Sequence, residues 1–527
     1  MTGYRLPGFD EPEFLHAPAP DYRTPRATYR LQLTPLFAFR DAAAIVPYLY
    51  ALGVSHLYLS PIWESAGGGH GYDVIDHANV SSELGGLAGF QALAEVCRAN
   101  EMRIILDIVP NHVGIKHARQ PWWRDVLRYG PSSPFADYFD IAWEGQERSG
   151  GTVVCPVLDV PFGDALEAGE FRLQYDGHEL VVGYRGDTFP LAPSSYEGIL
   201  GSPPQPPDPG VADQLAEILA RFREMDVVTS ARLLSEFDVL FVSGGHHVRN
   251  WVESRLRALD GTAGQPHSFA ALDAVLAAQH FRLAYWGVPS EEINYRRFFD
   301  INELAAIRSE HPPAFEATHE LIVQLARDGL VDGLRVDHID GLYDPSAYLA
   351  NLQTAIRDRF DEGSAVEFPI WVEKILGRSE SLAAAWPVAG TTGYDFLAKA
   401  GGLFIDPGAA SSFDRIYEEF LGRPATYDYI AFASRQRIAE RSFAREITVL
   451  ALELHAFAQS APREREITLV ELREAIVGLL SCLPVYRTYS DVAEGDQMLV
   501  AAGREARQRS SRIAVEAMNF LVRVLLG

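Results

Sequence analysis

The chain has 527 residues, 47% of them apolar, with 71 acidic against 46 basic side chains and a formal net charge of −25. A length and apolar content of this order build a large core and more than one domain, while so acidic a balance excludes the basic face that nucleic acid or an anionic membrane surface requires. The three cysteines, Cys97, Cys155 and Cys482, are too few and too scattered for a disulfide framework or a metal cluster and read as buried free thiols of a reducing compartment. The opening MTGYRLPGFDEPEFLHAPAP lacks a basic region followed by an apolar run, and no stretch reaches the roughly 18 apolar residues of a membrane span, so a cytoplasmic protein is expected.

In chain order, ATYRLQL (27–33), SHLYLSPI (55–62) and MRIILDIV (102–109) have the length and composition of strands. FRDAAAIVPYLYALG and GFQALAEVCRANE between them carry helical spacing of apolar residues. VDGLRVD (331–337), PIWVEKIL (369–376) and GTTGYDFL (390–397) supply three further strand candidates. Alternation of strand and helix predicts an α/β fold, a (β/α)8 barrel of which six strands are recognisable, with a doubly wound sheet as the alternative. No G-x-G-x-x-G fingerprint follows the first strand, which weakens the dinucleotide-binding version of that alternative.

About 220 residues separate the third candidate strand from the fourth, far beyond an ordinary βα connection, so an inserted subdomain is predicted there. Within it, FRLQYDGHELVVGYRGDTFPLAP alternates apolar and polar residues around Asp176-Gly177 and Gly186-Asp187, the pattern of antiparallel hairpins, and GSPPQPPDPG (201–210) reads as a proline-rich surface loop. From about residue 400 onward helical patterns replace strand patterns. The expected organisation is a first barrel part over 22–112, an inserted subdomain over 113–230, a second barrel part over 231–400 and a helical region over 401–527.

Polar side chains at the carboxyl ends of parallel barrel strands line the mouth of the barrel. Asp107, Asn111 and His112 close the third strand, Arg335, Asp337 and His338 the fourth, and Glu373 the fifth, while His70, Tyr72 and Asp73 follow the second. Neighbouring strands lie about 4.8 Å apart, so Asp337 and Glu373 can present carboxyls at the roughly 5 to 5.5 Å of a retaining glycosidase pair. Arg335, on the same strand face as Asp337, is expected to keep that carboxyl ionised, and Lys374 points away from Glu373. Tyr72 offers a flat face to a sugar ring, and His112 and His338 offer hydrogen bonds to hydroxyls. Asp107 is read as structural, fixing the loop of Asn111 and His112. Trp122, Trp123, Tyr285 and Trp286 are read as core.

DIVPNH, GLRVDH and WVEKIL resemble three of the four short signatures of the α-amylase family of glycoside hydrolases and transglycosidases. ATYRLQL, HGYDVIDH, EINYRRFFDINELA, WPVAGTTGYDFL and PVYRTY resemble, within it, the maltooligosyl trehalose synthases. The resemblance implies Asp337 as nucleophile and Glu373 as general acid/base. It assigns Arg335 and His112 to the reacting sugar, with no cofactor and no metal. It implies conversion of the reducing-end α-1,4 linkage of a maltooligosaccharide to an α,α-1,1 linkage, and a trehalohydrolase as functional partner. An amylase-type hydrolase and a non-catalytic glucan-binding protein are the alternatives. The family's fourth signature contains a His-Asp pair at the end of a seventh strand; no His-Asp dipeptide occurs here, and NFLVRVLLG closes the sequence within the helical region. The expectation is an incomplete barrel, from a chain truncated at its C-terminus or completed by a second chain.

Overall fold

Six short parallel strands carry the candidate site: β1 (Thr28–Leu31), β2 (His56–Leu59), β3 (Arg103–Ile108), β4 (Gly333–Val336), β5 (Ile370–Val372) and β6 (Gly390–Thr391), each hydrogen-bonded to the next in that order. The coordinates are a computed structural model that describes residues 24–67, 69–143, 151–201, 209–222, 227–287, 292–357, 367–377, 380–489 and 493–527. The opening twenty residues and most of the proline-rich 201–210 stretch lie outside the described residues. Sequential strand order has no point at which the order reverses, which distinguishes this curled sheet from a doubly wound one. It is the open part of a (β/α)8-type barrel, with β1 and β6 as its two edges.

Helices α1 (Phe39–Ala51) and α2 (Gly86–Ala99) connect the first three strands, and α3 (Pro312–Arg327) and α4 (Pro345–Arg357) flank β4. Helix α1 turns Phe39, Ala42, Val46 and Leu49 inward at three- and four-residue intervals. Against these helices pack Leu57, Leu59, Ile104, Leu106, Leu334, Val336, Ile370 and Val372. Side chains alternate along a strand, so burying that set sends Tyr58, Asp107, Arg335 and Asp337, with Glu373 just past β5, to the opposite face. Hydrophobic burial behind the sheet is therefore what aims the polar groups at one another.

The stretch 390–397 differs from the expected strand. Only Gly390 and Thr391 pair with β5; Gly393, at φ 87°, turns the chain into helix α5 (Tyr394–Gly402). The Thr391 hydroxyl accepts from the Gly393 N–H and donates to Asp395, which satisfies the turn locally and ends the strand.

Between β3 and α3 a second core gathers residues from Val113 to Ala314, including Trp123, Phe139, Phe171, Phe237 and Phe269. The strands Phe171–Tyr175, Leu180–Tyr184 and Asp187–Pro190 form an antiparallel meander. The Asp176 carboxylate accepts from the N–H groups of His178 and Glu179 at its first turn. Beyond α5, helices 427–441, 444–460, 469–482, 493–509 and 515–526 enclose a third core around Leu472, Ile476, Ala506 and Phe520. Helices α5 and Ala410–Leu421 bury no residue. Cys97, Cys155 and Cys482 are buried and free. Trp123 is buried, and Trp122 and Tyr285 are partly so. Trp286, read above as core, is exposed, because it follows the last residue of its strand and leaves the sheet. Among the described residues no helix is long and apolar enough to cross a membrane.

Candidate active site

The carboxyl ends of β1 to β6 surround a cavity of about 640 Å³. Behind the wall residues Arg30, Tyr58, Tyr72 and Arg335 lies Asp107, which is wholly buried and accepts from all four. The Tyr72 hydroxyl (2.6 Å), the Tyr58 hydroxyl (3.1 Å) and Arg30 Nη1 (3.2 Å) converge on Oδ2, while Arg335 Nη1 reaches Oδ1 at 2.8 Å. Asp107 thus fixes the guanidinium of Arg335. That guanidinium in turn donates to Asp337 Oδ1 at 2.7 Å and pairs through Nη2 with Glu373 Oε1 at 3.1 Å. One planar, permanently charged fork holds both candidate carboxyls at the cavity wall.

Glu373 has a second restraint. His338, directly after Asp337, takes a left-handed conformation (φ 44°, ψ 51°), and its N–H donates to Glu373 Oε2 at 2.9 Å. This conformation is costly for a residue with a Cβ. The surroundings enforce it: a Cβ on Gly341 would lie 2.2 Å from the His338 ring and 2.5 Å from Asn111 Oδ1, so only glycine lets the loop fold back.

Burial is the largest influence on Asp337 and raises its carboxyl to about 8; Arg335 opposes this, and the nearby Asp107 and Glu373 carboxylates add to it. The expectation that Arg335 keeps Asp337 ionised holds in sign and fails in balance, because desolvation and two like charges outweigh one shared cation. Asp107 is also raised, by burial, and Arg335 is raised because the surrounding carboxylates outweigh its own burial. Burial lowers His112 to about 3, with His338 contributing, so its ring is neutral.

Of the residues singled out from the sequence, His70, Tyr72, His112, Arg335, Asp337 and Glu373 line the cavity. His112 stands on the short strand His112–Gly114, which pairs with Ile301–Ala306, and its ring lies 4.2 Å from that of Phe298. Asn111 Oδ1 and His112 Nε2 are buried without a well-formed hydrogen bond, and the Tyr72 carbonyl faces the His112 ring. Asp73, Asn111 and His338 are not part of the cavity wall. The backbone of Asp73 packs against Gly114, Asn111 sits behind His112 at 3.4 Å, and the His338 ring rests among Phe298, Phe299 and Tyr486. Lys374 is buried and pairs with Asp340 and Glu380, away from Glu373, as strand alternation requires.

Arg30, Tyr58 and Phe298 also line the cavity and were missed in the sequence. The signal for the first two was present: each occupies the inward position near the end of β1 or β2, and Arg30 and Tyr58 stand in register. Phe298 follows no rule for the ends of the parallel strands and enters from the long stretch between β3 and α3, on the short strand Arg297–Phe298. Among the described residues no group of three or more His, Cys, Asp or Glu side chains could hold a metal ion.

Residues 43–166 match the family model of the alpha amylase catalytic domain. A Mycobacterium tuberculosis protein assigned as a maltooligosyl trehalose synthase is 34% identical over 401 residues, which are 74% of this chain and 40% of that protein. The structure of maltooligosyltrehalose synthase from Arthrobacter ramosus superposes with a TM-score of 0.71 at 32% identity, over 95% of this chain and 53% of that one. An intracellular maltogenic amylase of Bacillus subtilis is 38% identical over 94 residues, 18% of this chain and 15% of that protein. The chain thus spans about half the length of the synthases it matches. Aligned along most of its length with those synthases, and carrying its paired carboxyls at consecutive strand ends, the chain belongs to the α-amylase family, on the branch of the maltooligosyl trehalose synthases.

Proposed function

We propose that this chain carries the nucleophile and the acid/base of an intramolecular transglucosylase that rearranges the reducing end of a maltooligosaccharide. The observation that carries the reading is the single Arg335 guanidinium shared by Asp337 and Glu373 at the cavity wall. Asp337 attacks the anomeric carbon of the penultimate glucose, forming a C1–O bond as the C1–O4 bond breaks, and Glu373 gives its proton to the departing O4. The released glucose turns within the cavity. Glu373 then takes the proton of its anomeric hydroxyl, whose oxygen displaces Asp337 and closes an α,α-1,1 linkage. No water is consumed, and the reducing end disappears.

This chemistry needs Asp337 ionised, which the Arg335 guanidinium at 2.7 Å favours against the burial that raises its carboxyl, and it needs a proton on Glu373 at the departing oxygen. His112, backed by Asn111, supplies a polar group for a sugar hydroxyl, and Tyr72 and Phe298 supply flat faces. A cytoplasmic location and a trehalohydrolase acting on the product complete the reading. Incubation of the purified chain with maltopentaose tests it: reducing ends decline if the proposal holds and increase if the chain is a hydrolase. The open interval between β6 and β1 favours one other reading, glucan binding without turnover. Calorimetric binding of maltopentaose with constant reducing ends would select it.

A further inference from the structure

A second charged cluster lies behind Glu373, on the opposite side of β5. Lys374 Nζ contacts Asp340 Oδ2 at 3.2 Å and Glu380 Oε1 at 2.6 Å, and only 2% of its side chain is exposed. Two members of the cluster come from PVYRTY (484–489), which connects helices 469–482 and 493–509. The Tyr489 hydroxyl donates to Asp340 Oδ1, its ring lies 5.2 Å from Lys374 Nζ, and the ring meets Trp386 edge-on. Arg487 donates from Nη1 to the carbonyls of Asp340 (2.9 Å) and Leu342, and from Nη2 to that of Tyr343 (2.8 Å). From the other side Arg296 donates to the Gly341 carbonyl at 3.0 Å.

The contacts to Asp340, Gly341, Leu342 and Tyr343 all end on one loop, 338–343, and that loop begins with the strained His338 whose N–H holds Glu373. Three carbonyls in one stretch of four residues accept from one guanidinium, and a left-handed residue persists only where its neighbours over-determine it. We propose that Pro484–Tyr489 is a strap that positions Glu373, with Arg487 and Tyr489 as positioning residues acting through the 338–343 loop and Lys374. The proposal rests on the reading of Glu373 as acid/base. Through this strap the helices beyond α5, which contribute no residue to the described cavity wall, bear on the chemistry.

The test uses Arg487→Ala and, as a change of one hydroxyl that leaves packing intact, Tyr489→Phe. Three quantities are measured on the full chain: amide hydrogen exchange over 338–343, calorimetric affinity for maltopentaose, and turnover by loss of reducing ends. The expected result is exchange of the His338 to Leu342 amides accelerated about tenfold or more, affinity within about twofold of wild type, and turnover reduced about tenfold or more. Unchanged loop exchange in both variants overturns the strap. So does accelerated exchange with unaltered turnover, and so does a fall in turnover matched by an equal fall in affinity. If Arg487→Ala fails to fold, Tyr489→Phe decides by the same criteria. If the wild-type chain turns over no maltopentaose, the catalytic reading falls by itself, and loop exchange alone decides whether the strap stands.

Discussion

Arg335 and Asp107 stand in register on adjacent parallel strands and are joined at 2.8 Å with both side chains withdrawn from solvent. Of the three carboxyls that Arg335 contacts among the described residues, Asp107 is the one outside the cavity wall, and it anchors the guanidinium that also reaches Asp337 and Glu373. Asp107→Asn keeps the shape and removes the charge, leaving Arg335 short of a buried counter-ion. Breaking such a pair costs about 3 to 5 kcal/mol, and urea unfolding of this variant is expected to show a loss in that range with reduced turnover.

Asp337→Asn and Glu373→Gln should each lower turnover below about a tenth of wild type while preserving affinity for maltopentaose, since under the proposed mechanism each removes a nucleophile or a proton donor without changing size. Rate and calorimetry on the same preparations separate the two effects. Either variant retaining more than that fraction of the rate would remove its residue from the mechanism.

Asp337→Asn carries a further signature in stability. The folded Asp337 carboxyl titrates near 8, against an ordinary value of 3.8. Between these pH values the folded chain binds a proton that the unfolded chain has lost, and stability from this group falls as pH rises. The asparagine variant has no such group. Its melting temperature is expected to gain on wild type from pH 5 to pH 9, and a constant difference across that range would contradict the assignment.

Three buried imidazoles act in the opposite direction. His77, His112 and His319 are lowered by burial to about 4, 3 and 3. Below the ordinary histidine value of 6.5 the unfolded chain takes up protons that these rings refuse in the folded state, so stability is lost as pH falls from about 6.5 toward 3. His319 bonds Tyr348 at 2.8 Å and the Phe315 carbonyl at 2.9 Å, remote from the cavity wall. His319→Gln should flatten the acid dependence by about one proton, or about 1.4 kcal/mol per pH unit, as read from unfolding free energies at pH 4 to 7.

The helix Ala410–Leu421 exposes Phe413, Ile416, Tyr417 and Phe420 at three- and four-residue intervals. A contiguous apolar stripe of this kind promotes association in water. Light scattering by the purified chain should rise with concentration, and Phe413→Lys with Phe420→Lys should suppress that rise without changing the far-ultraviolet dichroism.

Much of this was legible in residue order because the physics involved is local. Strands buried on both faces read as continuous apolar runs, as in RIILDI, and alternation dictates that Arg335 and Asp337 share a face while Glu373 and Lys374 oppose each other. The turns at Asp176-Gly177 and Gly186-Asp187 were likewise written in glycine and aspartate chemistry. Local composition misled at Tyr394–Leu397, where aromatic and apolar residues suggest a strand but a left-handed Gly393 starts a helix. Only the tertiary structure decided which distant groups meet: Arg30, Tyr58 and Tyr72 converging on Asp107, and Arg487 reaching Asp340 across 147 positions. The same is true of the charge state of Asp337. Arg335, two residues away, sets the sign of one contribution, but desolvation depends on everything packed around the carboxyl, and packing is a property of the folded whole.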